Sequence, residues 1–331
     1  MKRTATLFAA MLLAAMFCHP GTLAAKDDEL AAVVRIRALF PEDAESTAKY
    51  GRERAGTGVV IDAEGTILTL SFLTRDAEHI EVTGPDNAPA TATLIGHDFG
   101  SGLSLLKPSR PLGVAPITMG KSAAVGVGDI VIVASAGNEG GVQMTRVVSR
   151  KEFAGTWEYY LDNAIFTTPA FADFSGAALL NRQGQLIGIG YLLTPVALAG
   201  FGLLPCNLFI PIDTLGPVLT DLKSAGRPLQ VRKPWLGINA DEAHGRVFIT
   251  RVTAGGPAEK AGLKVEDMII SVGGQQVQGL ADFYRKIYGL GEPGVPVPMK
   301  VLKGDQIQEI EVNSADRYKE QPQRNAGGIR I

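Results

Sequence analysis

Short apolar runs cut apart by turn-forming residues restrict this chain more than any other feature. "GTGVVIDAEGTILTL", "HIEVTG", "TATLIGHD", "LSLLKP", "GDIVIVASAG", "MTRVVSR", "QLIGIGYLL" and "NLFIPI" follow one another between residues 56 and 212. They are rich in Val and Ile, and Gly, Pro, Asn or Asp punctuates them. β-Branched side chains lose freedom in a helix and pack well on a pleated surface. The 39 glycines and 19 prolines, spread along the chain, supply the turns. The expected fold class is therefore mainly β, with the strands closing into barrels. "AAVVRIRALF", just ahead, alternates as a half-buried strand does.

A second module is expected after the linker-like "GRPLQVRKPW", beginning near Pro234. Its segment "GPAEKAGL" reads as a helix with proline at the start and glycine at the end. Leu280, Phe283, Ile287 and Leu290 recur at helical spacing. A further helix is expected over Thr214–Ala225, stopped by Gly226 and Pro228. The last segment, "RYKEQPQRNAGGIRI", is polar until its final residue and is expected to be disordered. The expected division is 1–25 signal peptide, 26–228 first domain, 229–316 second domain and 317–331 tail.

The opening residues carry Lys2 and Arg3, then an apolar run from Leu7 to Phe17, then small residues to Ala24 and Ala25. The run is short for a membrane span. It reads as a cleaved secretory signal, with an uncleaved anchor as the alternative. A periplasmic or secreted location follows, with no stable membrane span after cleavage. Cys206 is then the one remaining cysteine, which leaves no intramolecular disulfide and suggests a buried thiol. The net charge of −2, with no basic face, argues against a nucleic-acid partner. No metal-ligand cluster and no phosphate-binding loop stands out, so no cofactor or metal is expected.

"GTGVVIDAEGTILTL", "GVGDIVIVASAGN", "RVVS", "SGAALLNRQGQLIGI" and "LFIPID" occur in one order. "LGI" and "GPAEKAGLKVEDMIISVGGQQV" follow in the second module. In strings and order the chain resembles the HtrA/DegP family of envelope proteases. The resemblance implies a trypsin-like double β-barrel followed by a PDZ domain. It also implies peptide C-termini or unfolded proteins as partners, and a homo-oligomer, commonly a trimer.

By the same resemblance, Ser175 in "DFSGA" holds the nucleophile position. Phe72 in "TLSFLT" stands where the family places its histidine. In "DFGSGLSLL", Asp98 opens the run and Gly102 holds the place of the aspartate. A serine hydroxyl is a poor nucleophile without a base to take its proton. Phe72 accepts no proton, and Gly102 orients no base. The oxyanion region would be Asp173, Phe174 and Ser175, with Asp173 in place of the first glycine of the motif. Asp173 is expected to limit the backbone there and to bring negative charge close to the oxyanion site. Phe72, Phe171 and Phe174 are candidates to fill the former cleft. His79, His97 and His244 read as exposed loop histidines rather than as a relocated base.

In the PDZ module the resemblance assigns the carboxylate loop to "WLGI", with backbone donors at Leu236, Gly237 and Ile238. The other wall of the groove would be "GLADFYRKIYGL", with Phe283 and Ile287 as ligand-facing candidates or core residues. Glu266 stands where the family usually has glycine. The free carboxylate of Ile331 is a candidate occupant of the groove. Three functions stay open: an exported pseudoprotease that binds peptides, an active endopeptidase using Ser175 with a non-standard base, and a structural subunit alongside an active paralogue.

Overall fold

The computed structural model describes residues 30–44 and 46–321. The expected signal peptide and Ile331 lie outside the described residues. Six strands form a first closed barrel: β1 (Val33–Leu39), β2 (Glu53–Val60), β3 (Ile67–Leu70), β4 (His79–Thr83), β5 (Pro89–His97) and β6 (Leu103–Pro108). The order around it is β1-β2-β3-β6-β5-β4. In β1 the alternation seen in the sequence turns Val34, Ile36 and Ala38 inward. The expected "DAEG" turn joins β2 to β3. There the Asp62 carboxylate accepts from Thr66 N, and Gly65 takes a φ of 76°. Two single-turn helices, α1 (Thr47–Tyr50) and α2 (Ser71–Thr74), flank this barrel.

A second closed barrel follows: β7 (Ile130–Ser135), β8 (Gly141–Gly155), β9 (Tyr159–Thr168), β10 (Ala178–Leu180), β11 (Leu186–Leu198) and β12 (Gly202–Pro211). Its order is β10-β11-β12-β9-β8-β7. Cys206 lies fully buried in β12 as a free thiol, as expected. The helix expected over Thr214–Ala225 is shorter. One 3₁₀ turn covers Ile212–Thr214, and α3 spans Leu219–Ala225. Pro217 disfavours helical backbone at Gly216, which splits the segment. Gly226 ends α3 in a left-handed conformation.

The second module is an antiparallel sheet ordered β13 (Ile238–Ala243), β14 (Arg246–Val252), β15 (Met268–Val272), β17 (Pro296–Lys303) and β18 (Gln306–Asn313), with β16 (Gln275–Gln276) paired to β15. Helices α4 (Pro257–Lys260) and α5 (Leu280–Gly289) pack on it. Glu266 takes a φ of 74°, a conformation that suits glycine better.

Two expectations are corrected. The tail does not lose order at residue 317, because Arg317–Glu320 form a helical turn, α6. The Asp316 side chain caps it by accepting from Tyr318 N. Tyr318 fastens the turn to the first barrel: its hydroxyl accepts from Phe99 N at 2.9 Å and donates to Asp98 at 3.2 Å. His97 is not an exposed loop histidine. It ends β5, is 3% exposed, and packs against the rings of Phe99 and Tyr318. His79 and His244 are exposed, as expected.

Candidate functional site

The turn carrying Ser175 is wedged between β2 and β11. The Ser175 carbonyl accepts from Thr57 N at 2.9 Å, and Gly176 N donates to Gly190 O at 2.8 Å. A Cβ on Gly176 would sit 2.0 Å from the Thr57 carbonyl oxygen, and one on Gly190 would sit 2.0 Å from that of Phe174. These close approaches need glycine. They hold the turn whether or not chemistry occurs. Among the described residues, no histidine or lysine is hydrogen-bonded to the Ser175 hydroxyl, and Ser175 is bonded through its carbonyl.

The position assigned to the histidine lies against a cation. Phe72 sits in α2 with its ring edge-on to Tyr50 at 5.0 Å. The Arg54 guanidinium lies over Phe40 at 3.7 Å and over Phe72 at 4.6 Å. It donates to the Phe72 carbonyl at 2.8 Å and to the Ser46 hydroxyl at 2.6 Å. Arg54 is almost fully buried, yet it stays cationic and cannot serve as a base.

Gly102 occupies the turn between β5 and β6 with a φ of 77°. A Cβ there would meet Tyr159 at 3.2 Å and Tyr191 at 3.6 Å. Tyr159 is held in place because its hydroxyl donates to Ser101 O at 2.6 Å. Burial among these rings pushes the Tyr159 and Tyr191 phenols well above their usual value. Asp98 is buried and caps the same turn, accepting from the backbone N–H of Gly100 and Ser101.

Asp173 departs from expectation. Its carboxylate turns to the β7–β8 connection, accepting from Glu139 N at 2.9 Å, Gly140 N at 3.0 Å and the Asn138 amide at 3.2 Å. Those bonds spend its charge on the loop rather than on an oxyanion site. Its φ is not positive, so the backbone sits where a side chain is tolerated. Nor do the three phenylalanines make one plug. Phe72 packs on Tyr50, while Phe171 packs on the second barrel and exchanges two hydrogen bonds with Asn207.

A second site lies in the other module. Leu236, Gly237 and Ile238 do present a nest of backbone donors, and Gly237 takes a φ of 79°. The nest is filled by a carboxylate of the chain itself. Glu158, in the turn between β8 and β9, accepts from Ile238 N at 2.8 Å and from Leu236 N at 3.3 Å. The turn continues along β13, where Thr156 O accepts from Ala240 N at 2.8 Å. On the helix side the Tyr284 hydroxyl accepts from Glu158 N at 3.1 Å. The Tyr288 hydroxyl donates to Glu158 O at 3.3 Å. Burial drives the Glu158 carboxyl up to about 7, against the nest N–H groups and Arg317, which pull it down. Its φ of 55° is unusual for glutamate.

Phe283 and Ile287 are fully closed into the module core. The groups that bond the inserted turn, Tyr284 and Tyr288, are their neighbours on α5. The i, i+4 spacing of those tyrosines was a visible cue to a shared face. Nothing in "GTWEYY" marked Glu158, since glutamate in a turn is ordinary.

Two closed six-stranded barrels with a serine turn between β2 and β11, followed by a sheet-and-helix module with a backbone nest, define a trypsin-fold protein with a PDZ domain. Residues 56–189 match the trypsin-like peptidase domain, and residues 234–313 match the PDZ domain. The chain is 29% identical over 283 residues to a probable periplasmic serine endoprotease, DegP-like, of Hahella chejuensis, covering 81% of this chain and 56% of that one. It is 28% identical over 294 residues to the periplasmic pH-dependent serine endoprotease DegQ of Escherichia coli, covering 84% and 63%. Among solved structures, the HtrA-type protease AlgW with decapeptide superposes with a TM-score of 0.56 at 21% identity, covering 87% of this chain and 96% of that one. The serine endoprotease from Yersinia pestis superposes with a TM-score of 0.53 at 22% identity, covering 87% and 94%. The chain is an HtrA-family protein. It spans little more than half the length of the first curated relatives it matches.

Proposed function

We propose that this protein is an exported, periplasmic HtrA-type pseudoprotease whose PDZ groove binds peptide C-termini or unfolded envelope proteins. One observation carries the loss of proteolysis. The places assigned to base and orienting acid hold Phe72 under the Arg54 guanidinium and Gly102 against Tyr159. Without a base the serine keeps its proton. In a related chemistry the loss of serine or base alone lowers turnover by about a millionfold. The backbone nest at Leu236–Ile238 supports the binding role, because three N–H groups suit one carboxylate and β13 offers a strand edge. The periplasmic relatives support the location.

Unfolded casein tests the proposal. The purified chain and its Ser175→Ala variant are incubated with it and cleavage is followed by peptide release. Equal, background-level release is expected. Release by the wild type that Ser175→Ala abolishes would restore the endopeptidase reading.

A further inference from the structure

We infer that the PDZ carboxylate nest has a resident ligand in cis, the Glu158 side chain, and that an incoming peptide C-terminus must displace it. This rests on the proposed reading of the groove as a peptide site. The geometry imitates such a ligand at both of its recognition points. The carboxylate of Glu158 takes the nest N–H groups, and Thr156 takes the strand-edge N–H of Ala240. A peptide adding to β13 needs the same donors. One N–H donates well to one carboxylate, so the two occupants exclude each other.

The turn is fixed from every side. Tyr160 is buried in the PDZ core, and its hydroxyl donates to Glu152 at 3.0 Å. Arg285 of α5 bonds the same Glu152 carboxylate at 2.6 Å. Arg317 of α6 reaches Trp157 O at 3.4 Å. Closing the groove thus docks the PDZ module on the second barrel. A peptide that frees Glu158 releases one of the contacts that set the two domains relative to each other. The free groove is then a minor state, and apparent affinity falls by the fraction of molecules in it.

Glu158 gives this latch a pH sense. The charged or titratable groups facing it are Tyr284 and Tyr288 from α5 and Arg317 from α6, with Asp98, Arg232, Lys233, Asp316 and Tyr318 lining the adjoining cavity. Its carboxyl sits at about 7 when latched and near 4.5 when exposed to water. The latched form therefore holds the proton more tightly, and the latch is firmest in acid. It loosens as pH rises to 7. A peptide carboxylate stays ionised throughout that range.

The test uses the full chain and fluorescent decapeptides ending in Val, Leu, Ile or Phe, each as free carboxylate and as C-terminal amide. Binding is read by anisotropy. Glu158→Gly removes the carboxylate and suits the positive φ, so the variant is expected to fold. It should bind free-carboxylate peptides at least about ten-fold tighter than wild type, and amides should not gain. From about pH 5.5 to about pH 8, wild-type affinity should rise about ten-fold or more, while Glu158→Gln, which keeps the shape, should show no such rise. Equal affinities for wild type, Glu158→Gly and Glu158→Gln would overturn the latch and leave the groove reading standing. If no protein binds any free-carboxylate peptide, both fall.

Discussion

Placing an aspartate at Gly102, the position the resemblance assigns to the family's acid, should damage this fold. In Gly102→Asp the new side chain starts from a backbone φ of 77°. For a residue with a Cβ that conformation costs about 1 kcal/mol. Its Cβ would sit 3.2 Å from the Tyr159 ring, tighter than ordinary van der Waals contact. Tyr159 cannot turn aside freely, because its hydroxyl donates to Ser101 O at 2.6 Å. Breaking that bond costs about 1 kcal/mol more. A carboxylate against two tyrosine rings also loses hydration, for roughly 1–3 kcal/mol. The expected destabilisation is on the order of 3 kcal/mol. Urea unfolding should show it as a lower midpoint at unchanged slope. Trp157 stacks on Tyr159 at 6.0 Å and supplies a local fluorescence signal. A loss under about 0.5 kcal/mol, the scale of a harmless surface change, would refute the claim that this position is closed to an acid.

Three more outcomes follow from the same contacts. Phe72→His combined with Gly102→Asp should cleave casein no faster than Ser175→Ala, since the Arg54 stack and the Tyr159 wall remain around the site. Glu266→Gly should stabilise the PDZ module by about 1 kcal/mol in thermal unfolding, because it relieves a positive φ. Stability should also depend on Glu158. The folded protein holds its proton more tightly than the unfolded chain, at about 7 against 4.5. That contribution is present in full below 4.5 and is lost as pH rises through 7. The free energy of unfolding, measured in urea across this window, should fall by an amount on the order of 3 kcal/mol in wild type and stay flat in Glu158→Gln.

Much of the fold was legible because local pattern and tertiary role agree. The alternation in "AAVVRIRALF" became β1 with Val34 and Ile36 inside, and "DAEG" became a tight turn. The close approaches at Gly176 and Gly190 explain why the serine turn needs its small residues whatever stands at positions 72 and 102. What stayed hidden depends on contacts between distant segments. His97 looked like a loop histidine until Tyr318, more than two hundred residues later, covered it. Asp173 was expected to bring charge to an oxyanion site, but its carboxylate is bonded by the loop at residues 138–140. The nest at Leu236–Ile238 could be expected from the resemblance, whereas its occupant could not. Glu158 acquires its role only when the second barrel meets the PDZ module.

A fluorophosphonate probe measures the central claim most directly, because it reacts with a serine hydroxyl only when a base has activated it. The full chain is incubated with the probe and its intact mass recorded, with Ser175→Ala as control. The expected result is an unmodified mass for both proteins. A single adduct on Ser175, absent from Ser175→Ala, would contradict the pseudoprotease account.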